Sequence, residues 1–130
     1  MFSSATARWD RALLNTLLAT SDEAVVAAAT DRRVTRVGGA FFEMFGYEDH
    51  EVLGRPTLLL YAEPEDFGHA GAYRFNERST VGIVRHTVLY RRRDGTTFLG
   101  ATLGNRICSS RGDTLGYIGL VRLAEPPEAG

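Results

Sequence analysis

The 130-residue chain has no lysine; all 15 of its basic residues are arginine. That excludes Schiff-base catalysis by lysine and a lysine-dependent phosphate loop. A single cysteine, Cys108, excludes an internal disulfide framework and a cysteine-based zinc site. The three histidines, at positions 50, 69 and 86, fall on separate segments without metal-type spacing. No apolar run approaches the ~18 residues of a membrane span. Met1-Phe2-Ser3-Ser4 has no basic stretch ahead of an apolar one, so no secretory leader is expected and a reducing cytoplasm is the default. Fifteen basic and 16 acidic residues leave a net charge of -1. A near-neutral chain has no electrostatic reason to seek nucleic acid or an anionic membrane. There is no Gly-x-Ser-x-Gly, glycine-rich phosphate loop or paired-carboxylate motif, and catalysis finds little support.

What remains is a one-domain chain with 44% apolar and 24% charged residues, enough to bury a core without covalent staples. Residues 3–19 read as a helix, capped by Ser3 or Ser4. Trp9, Leu13 and Leu17 recur at helical spacing with Leu14 and Leu18 alongside. Such a stripe either packs on its own domain or pairs with a second copy. Residues 23–30 and 34–37 read as two short strands around the polar turn Asp31-Arg32-Arg33. Gly38-Gly39 opens a short helix through Phe41, Phe42, Met44 and Phe45, stopped by Gly46. Asp49 is expected to cap the next turn, His50 to Leu53, and Leu58-Leu59-Leu60 to form a buried connector. Pro64, with Glu65 and Asp66 behind it, starts a helix expected to run to about Glu77. The rest is strand-like: Ile83 to Arg92, a turn at Asp94-Gly95, Thr97 to Cys108, and Leu115 to Leu123. Alternation places Leu99, Ala101, Leu103 and Ile107 on one face of the middle strand. The tail, residues 124–130, is rich in proline and glutamate and is expected to be disordered.

Five stretches, in this order, resemble the PAS family of sensor domains. They are Val37 through Phe45-Gly46-Tyr47, Glu51-Val52-Leu53-Gly54-Arg55, Glu63-Pro64-Glu65-Asp66, Arg92-Arg93-Asp94-Gly95-Thr96 and Leu115-Gly116-Tyr117-Ile118-Gly119. The likeness covers about residues 20–123. It implies an α+β fold: a five-stranded antiparallel sheet with short helices on one face, preceded by the N-terminal amphipathic helix. It divides the chain into a dimerisation helix (1–20), a PAS-like domain (21–123) and a tail (124–130). Two departures stand out. Gly38 occupies the place where the family usually has asparagine. The usual Asp-Ile-Thr ending is replaced by Val121-Arg122-Leu123-Ala124-Glu125, which leaves an output route through a C-terminal coiled coil unsupported.

The resemblance implies a non-enzymatic sensory or interaction module of bacterial signal transduction, such as a two-component system. Its partners would be a second copy of itself, a small ligand, and a kinase or other output domain. The pocket would lie between the sheet and the long helix. Phe41, Phe45, Phe67, Phe75, Arg85, His86, Leu99, Ala101, Leu103 and Asn105 are its candidate lining residues, and Trp9, Leu13, Leu14, Leu17 and Leu18 the candidate dimer contacts. One of Arg85 and His86 is expected to point inward; alternation leaves open which. Small residues in the strands (Gly100, Ala101, Gly104, Gly116, Gly119) fit either a cavity or close helix–sheet packing. No cofactor is the favoured reading, with haem or non-covalent flavin as alternatives. The haem alternative would use His69. That residue falls on the helix face opposite Phe67, Gly71 and Phe75, away from any core. The reactive cysteine of the light-sensing branch is missing from Arg55-Pro56-Thr57-Leu58-Leu59-Leu60. An isomerase-like α+β pocket enzyme is the alternative of another class, with His86 and Glu43 as its acid and base. Arg91, Arg92 and Arg93 read as exposed hairpin residues with a structural effect.

Overall fold

The apolar repeat in the N-terminal segment forms α1 (Ser4–Thr20) in the computed structural model, which describes residues 4–73, 75 and 85–124. Ser4 is itself helical, and Ser3, the other expected cap, lies outside the described residues. The expected strand pair follows as β1 (Ala24–Ala29) and β2 (Val34–Gly39). Then come α2 (Phe41–Phe45), α3 (Asp49–Val52), a 3-10 turn (Thr57–Leu60) and α4 (Pro64–Tyr73). The chain closes with β3 (His86–Arg91), β4 (Thr97–Cys108) and β5 (Thr114–Leu123). All neighbouring strands pair antiparallel in the order β2-β1-β5-β4-β3. The first two strands thus lie beside the last, and the meander forms the other half of the sheet.

Glycines stop the short helices. Gly46 adopts φ +83° and its N–H donates to the Phe42 carbonyl at 2.8 Å. That left-handed geometry suits glycine because it has no Cβ. Gly38 and Gly39 close β2 rather than open α2. The cap of α3 is Glu48, one residue earlier than expected; Glu51 Oε1 accepts from the Glu48 N–H at 2.9 Å. In the leucine connector only Leu60 is buried, while Leu58 is exposed. α4 ends at Tyr73, short of Glu77, and Phe75 returns its N–H to the Ala70 carbonyl outside the helix. β3 starts at His86; residues 83 and 84, assigned above to this strand, lie outside the described residues.

The core sits between the inner face of the sheet and α2–α4. Phe41, Phe45, Val52, Tyr90, Phe98 and Val121 are buried there. Phe45 stacks on Phe41 at 5.0 Å and meets Tyr90 and Phe98 edge-on at 5.4 and 5.1 Å. The arginine hairpin ties this core down. Arg91 donates to the Ala62 carbonyl and Arg92 to that of Met44, and Arg93 pairs with Glu51.

The face of β4 is the main correction. Phe98, Gly100 and Thr102 are buried against the core, whereas Leu99 is 50% exposed on the opposite face with Ala101 and Leu103. Inward residues are small because aromatic rings fill their space. A Cβ on Gly100 would lie 2.7 Å from the Tyr90 ring, and one on Gly104 would lie 2.6 Å from the Phe75 ring. The departure at Gly38 has a similar cause, since a Cβ there would stand 3.0 Å from that of Leu18. The last turn of α1 therefore rests on β2, while Trp9, Leu13, Leu14 and Leu17 remain exposed. At the C-terminal end Ala124 still donates to the Leu99 carbonyl at 2.9 Å, and residues 125–130, the rest of the expected tail, lie outside the described residues.

Candidate functional site

A chamber of about 50 Å3 opens between the middle of the sheet and the 3-10 turn with Tyr61 and Phe75, rather than against α4 itself. Its floor comes from β1 and β5, with Val26, Ala28, Tyr117, Gly119 and Val121. Tyr90 and Thr102 of β3 and β4, and Phe45 of α2, form one side; Thr57, Leu60, Tyr61 and Phe75 form the other. At Gly119 a Cβ would meet nothing nearer than 4.0 Å. Of the strand glycines, then, Gly119 borders open space, while Gly100, Gly104 and Gly116 mark close packing. The expected cavity and the expected close packing coexist in one sheet.

Polar groups in the wall are few. The Tyr90 hydroxyl and Thr102 Oγ1 share a buried hydrogen bond of 2.6 Å. Among the described residues, Arg32 is the one charged residue that lines the chamber. It sits in the β1–β2 turn with φ +64°, a left-handed conformation that costs a residue with a side chain about 1–2 kcal/mol. Asp31 Oδ1 takes the Arg33 N–H at 3.0 Å, and the Arg32 N–H returns to the Ala29 carbonyl at 2.8 Å, which holds that conformation. The conformation carries the side chain under α4. Arg32 Nη1 donates to the Phe67 carbonyl at 2.6 Å and Nη2 to the Tyr61 hydroxyl at 3.3 Å. The guanidinium carbon stands 3.8 Å from the Phe67 ring centroid and 5.4 Å from that of Phe75. Loss of water by burial lowers its pKa below the usual arginine value, with Tyr61 acting in the opposite direction.

Among the expected lining residues, Phe45 and Phe75 reach the chamber. Phe41 is in the core behind Phe45, and Phe67 packs beside Arg32. The other six are elsewhere. Leu99, Ala101, Leu103 and Asn105 belong to the outward register of β4. His86 shares the register of Val88 and Tyr90 but is exposed at the strand end. Arg85 precedes the strand and points at Glu23, which it meets at 2.8 Å, and at the carbonyls of Ala101 and Leu120. Neither Arg85 nor His86 enters the chamber. Arg32, Tyr61, Tyr90, Thr102 and Tyr117 were not anticipated. They lie in a polar turn or look like ordinary strand residues, and the one available signal was the run of small residues facing them.

The residues do not fit the cofactor alternatives. His69 is exposed and lines a separate surface depression with Glu65, Asp66, Thr87 and Val88, so it cannot reach a group in the chamber. The chamber volume of about 50 Å3 is also well under the ~300–1,000 Å3 of a site for a flavin- or haem-sized molecule. Among the described residues, no His, Cys, Asp or Glu lines it. Glu43 and His86, the acid and base of the enzyme alternative, are both exposed outside it. Among the described residues, no cluster of three or more metal-ligating side chains occurs. Among them, too, no helix is long and apolar enough to cross a membrane. Cys108 is exposed at the end of β4.

Comparison with known proteins matches residues 12–123 to a family profile described as the PAS fold. No curated protein sequence matches the chain. Solved structures do. The PAS domain of an HTR-like protein from Haloarcula marismortui superposes with a TM-score of 0.71 at 21% identity, over 91% of this chain and 94% of that one. A PAS domain of a Colwellia psychrerythraea protein gives 0.74 at 15% identity, over 88% and 97%. A PAS domain from a two-component sensor histidine kinase gives 0.71 at 13% identity, over 91% and 99%.

Proposed function

Because the chain belongs to the PAS family of sensory domains, we propose that it is a signalling module that takes a small ligand in this chamber and acts through paired α1 helices. The observation that carries this reading is the combination of an apolar chamber with an uncovered apolar helix stripe. The chamber is walled by aromatic and aliphatic side chains with few polar groups, the composition expected of a small-molecule site. The stripe leaves Trp9 65% and Leu17 58% exposed, while among the described residues α1 meets β2 through Leu18, which crowds Gly38, and Asn15, whose Oδ1 accepts from Arg36. An apolar stripe of that kind marks an interaction surface. Burying it against a second copy stabilises a dimer by several kcal/mol at ~25 cal/mol per Å2, before association costs.

The two features are joined mechanically. α1 rests on β2, β2 pairs with β1, and β1 forms part of the chamber floor. A ligand that reshapes the floor changes the seat of α1, by no more than its difference in affinity for the two arrangements. Within this reading the setting is the cytoplasm of a bacterium. The output is a kinase, cyclase or transcription regulator carried by the same chain or bound to it, and the domain performs no catalysis of its own.

The test is light scattering and analytical ultracentrifugation of the wild type and of Trp9→Glu with Leu13→Glu. A wild-type dimer that becomes monomeric with the domain still folded supports the reading. A wild type that is monomeric at high concentration overturns the pairing.

A further inference from the structure

We propose that the chamber recognises a small monocarboxylate, held by Arg32, and that its arrival releases α4 from the guanidinium. This deepens the ligand-binding reading above and rests on it.

Arg32 is a cation at the wall of an apolar chamber with, among the described residues, no acid opposite it. Among the described residues the ion pairs are Arg33–Asp31, Arg85–Glu23 and Arg93–Glu51; Arg32 has none. Its guanidinium carries five N–H donors in a fork that matches a carboxylate. Two are spent, on the Phe67 carbonyl and the Tyr61 hydroxyl. A half-buried guanidinium with unspent donors is what a carboxylate can satisfy on entry.

The placement is built in at a cost. A left-handed backbone is kept at residue 32 where glycine would be easier. Gly71, inside α4, leaves the room; a Cβ there would stand 2.6 Å from Arg32 Nη1. Glycine in a helix interior costs about 1 kcal/mol relative to alanine. Two locally unfavourable choices therefore meet at one guanidinium.

Volume and charge narrow the ligand. At about 10–15 Å3 for each water-sized unit, 50 Å3 admits a molecule of a few non-hydrogen atoms. The lining is mostly apolar, so the remainder of the molecule is a short alkyl group. A phosphate dianion fits poorly, because one cation leaves its second charge uncompensated in an apolar wall. A carboxylate taken end-on and bidentately uses both terminal nitrogens of the guanidinium, and one of them, Nη1, now holds the Phe67 carbonyl at 2.6 Å. A carboxylate competes for it, and α4 loses its tether to the β1–β2 turn.

The experiment is a titration of the full chain with propionate and, separately, with its neutral isostere propionamide, followed by two-dimensional NMR. The inference expects shifts at Val26, Ala28, Tyr61 and Phe75, and propionate binding about tenfold or more tighter than propionamide. Arg32→Gln brings propionate down to the level of the amide, and Arg32→Lys keeps part of the preference. Gly71→Ala retains the charge but displaces the guanidinium, and it also lowers the preference; it serves if Arg32→Gln does not fold. Equal binding of the two probes, or a preference that survives in Arg32→Gln, overturns the role of Arg32 and leaves the chamber a neutral ligand site. Failure of propionate and propionamide alike, and of isobutanol titrated as a third, uncharged probe, to shift the lining residues overturns the ligand-binding reading itself.

Discussion

Arg85 and Arg32 are both half-buried arginines that donate to backbone carbonyls, yet their surroundings differ. Arg85 stands ahead of β3 and spends its charge on Glu23, with side chains 21% and 23% exposed, and on the carbonyls of Ala101 and Leu120. Arg32 stands in the β1–β2 turn, meets aromatic faces and a carbonyl, and among the described residues has no ion-pair partner. The first arrangement closes on itself and joins β1, β4 and β5 to the start of β3. The second is left electrostatically incomplete at the wall of a chamber. A paired half-buried charge serves the fold, whereas an unpaired one beside empty space is where a ligand can add binding energy.

Removing one partner from each region separates the two. Glu23→Ala strands Arg85 and is expected to cost about 1–3 kcal/mol in urea unfolding, less than for a fully buried pair because water still reaches both groups. The double change Glu23→Leu with Arg85→Met removes both charges and recovers most of that loss.

A smaller effect is expected at the chamber floor. Gly119→Val adds a β-branched side chain where a Cβ has open space, so stability rises by about 1 kcal/mol while binding of small molecules is lost. Parallel thermal unfolding and ligand titration check both halves.

Arg32→Gly is expected to change stability by less than about 1 kcal/mol. Relief of the left-handed backbone offsets the lost hydrogen bonds and cation–π contact. A large loss in urea unfolding would place Arg32 with Arg85 as a structural residue and erase the contrast.

The smallest effect concerns pH. The Glu48 N–H and then the Arg93 guanidinium hold the Glu51 carboxyl below its ordinary value. A lowered folded pKa adds stability above the ordinary glutamate range, and that stability is lost as pH falls through the lowered value. Glu51→Gln should therefore lower the neutral plateau slightly and flatten part of the acid limb of a stability–pH curve.

Much of this architecture is legible in the residues. The α1 stripe, the Gly46 stop, the Asp94-Gly95 hairpin and the bounds of β4 each follow from a local rule, and their order carries the family resemblance. The inner face of β4 does not follow. Its partners are aromatic rings, so Gly100, Thr102 and Gly104 occupy the buried register and resemble a wet face, while Leu99 and Leu103 resemble a core. Thr102 is inward because it bonds the Tyr90 hydroxyl. Arg32 was hidden for another reason. Asp31-Arg32-Arg33 reads as a solvated turn, and only the positive φ turns the middle side chain under a helix more than 30 residues away.

Ligand binding requires an accessible compartment between the 3-10 turn with Tyr61 and Phe75 and the inner face of the sheet. Methyl-resolved NMR under xenon pressure tests this directly, since xenon enters apolar voids of this size without polar partners. Saturable shifts at Val26, Ala28, Leu60 and Val121, abolished by Gly119→Val, are the expected result. No shift at those methyls, or shifts confined to the outward Leu99 and Leu103, would contradict it.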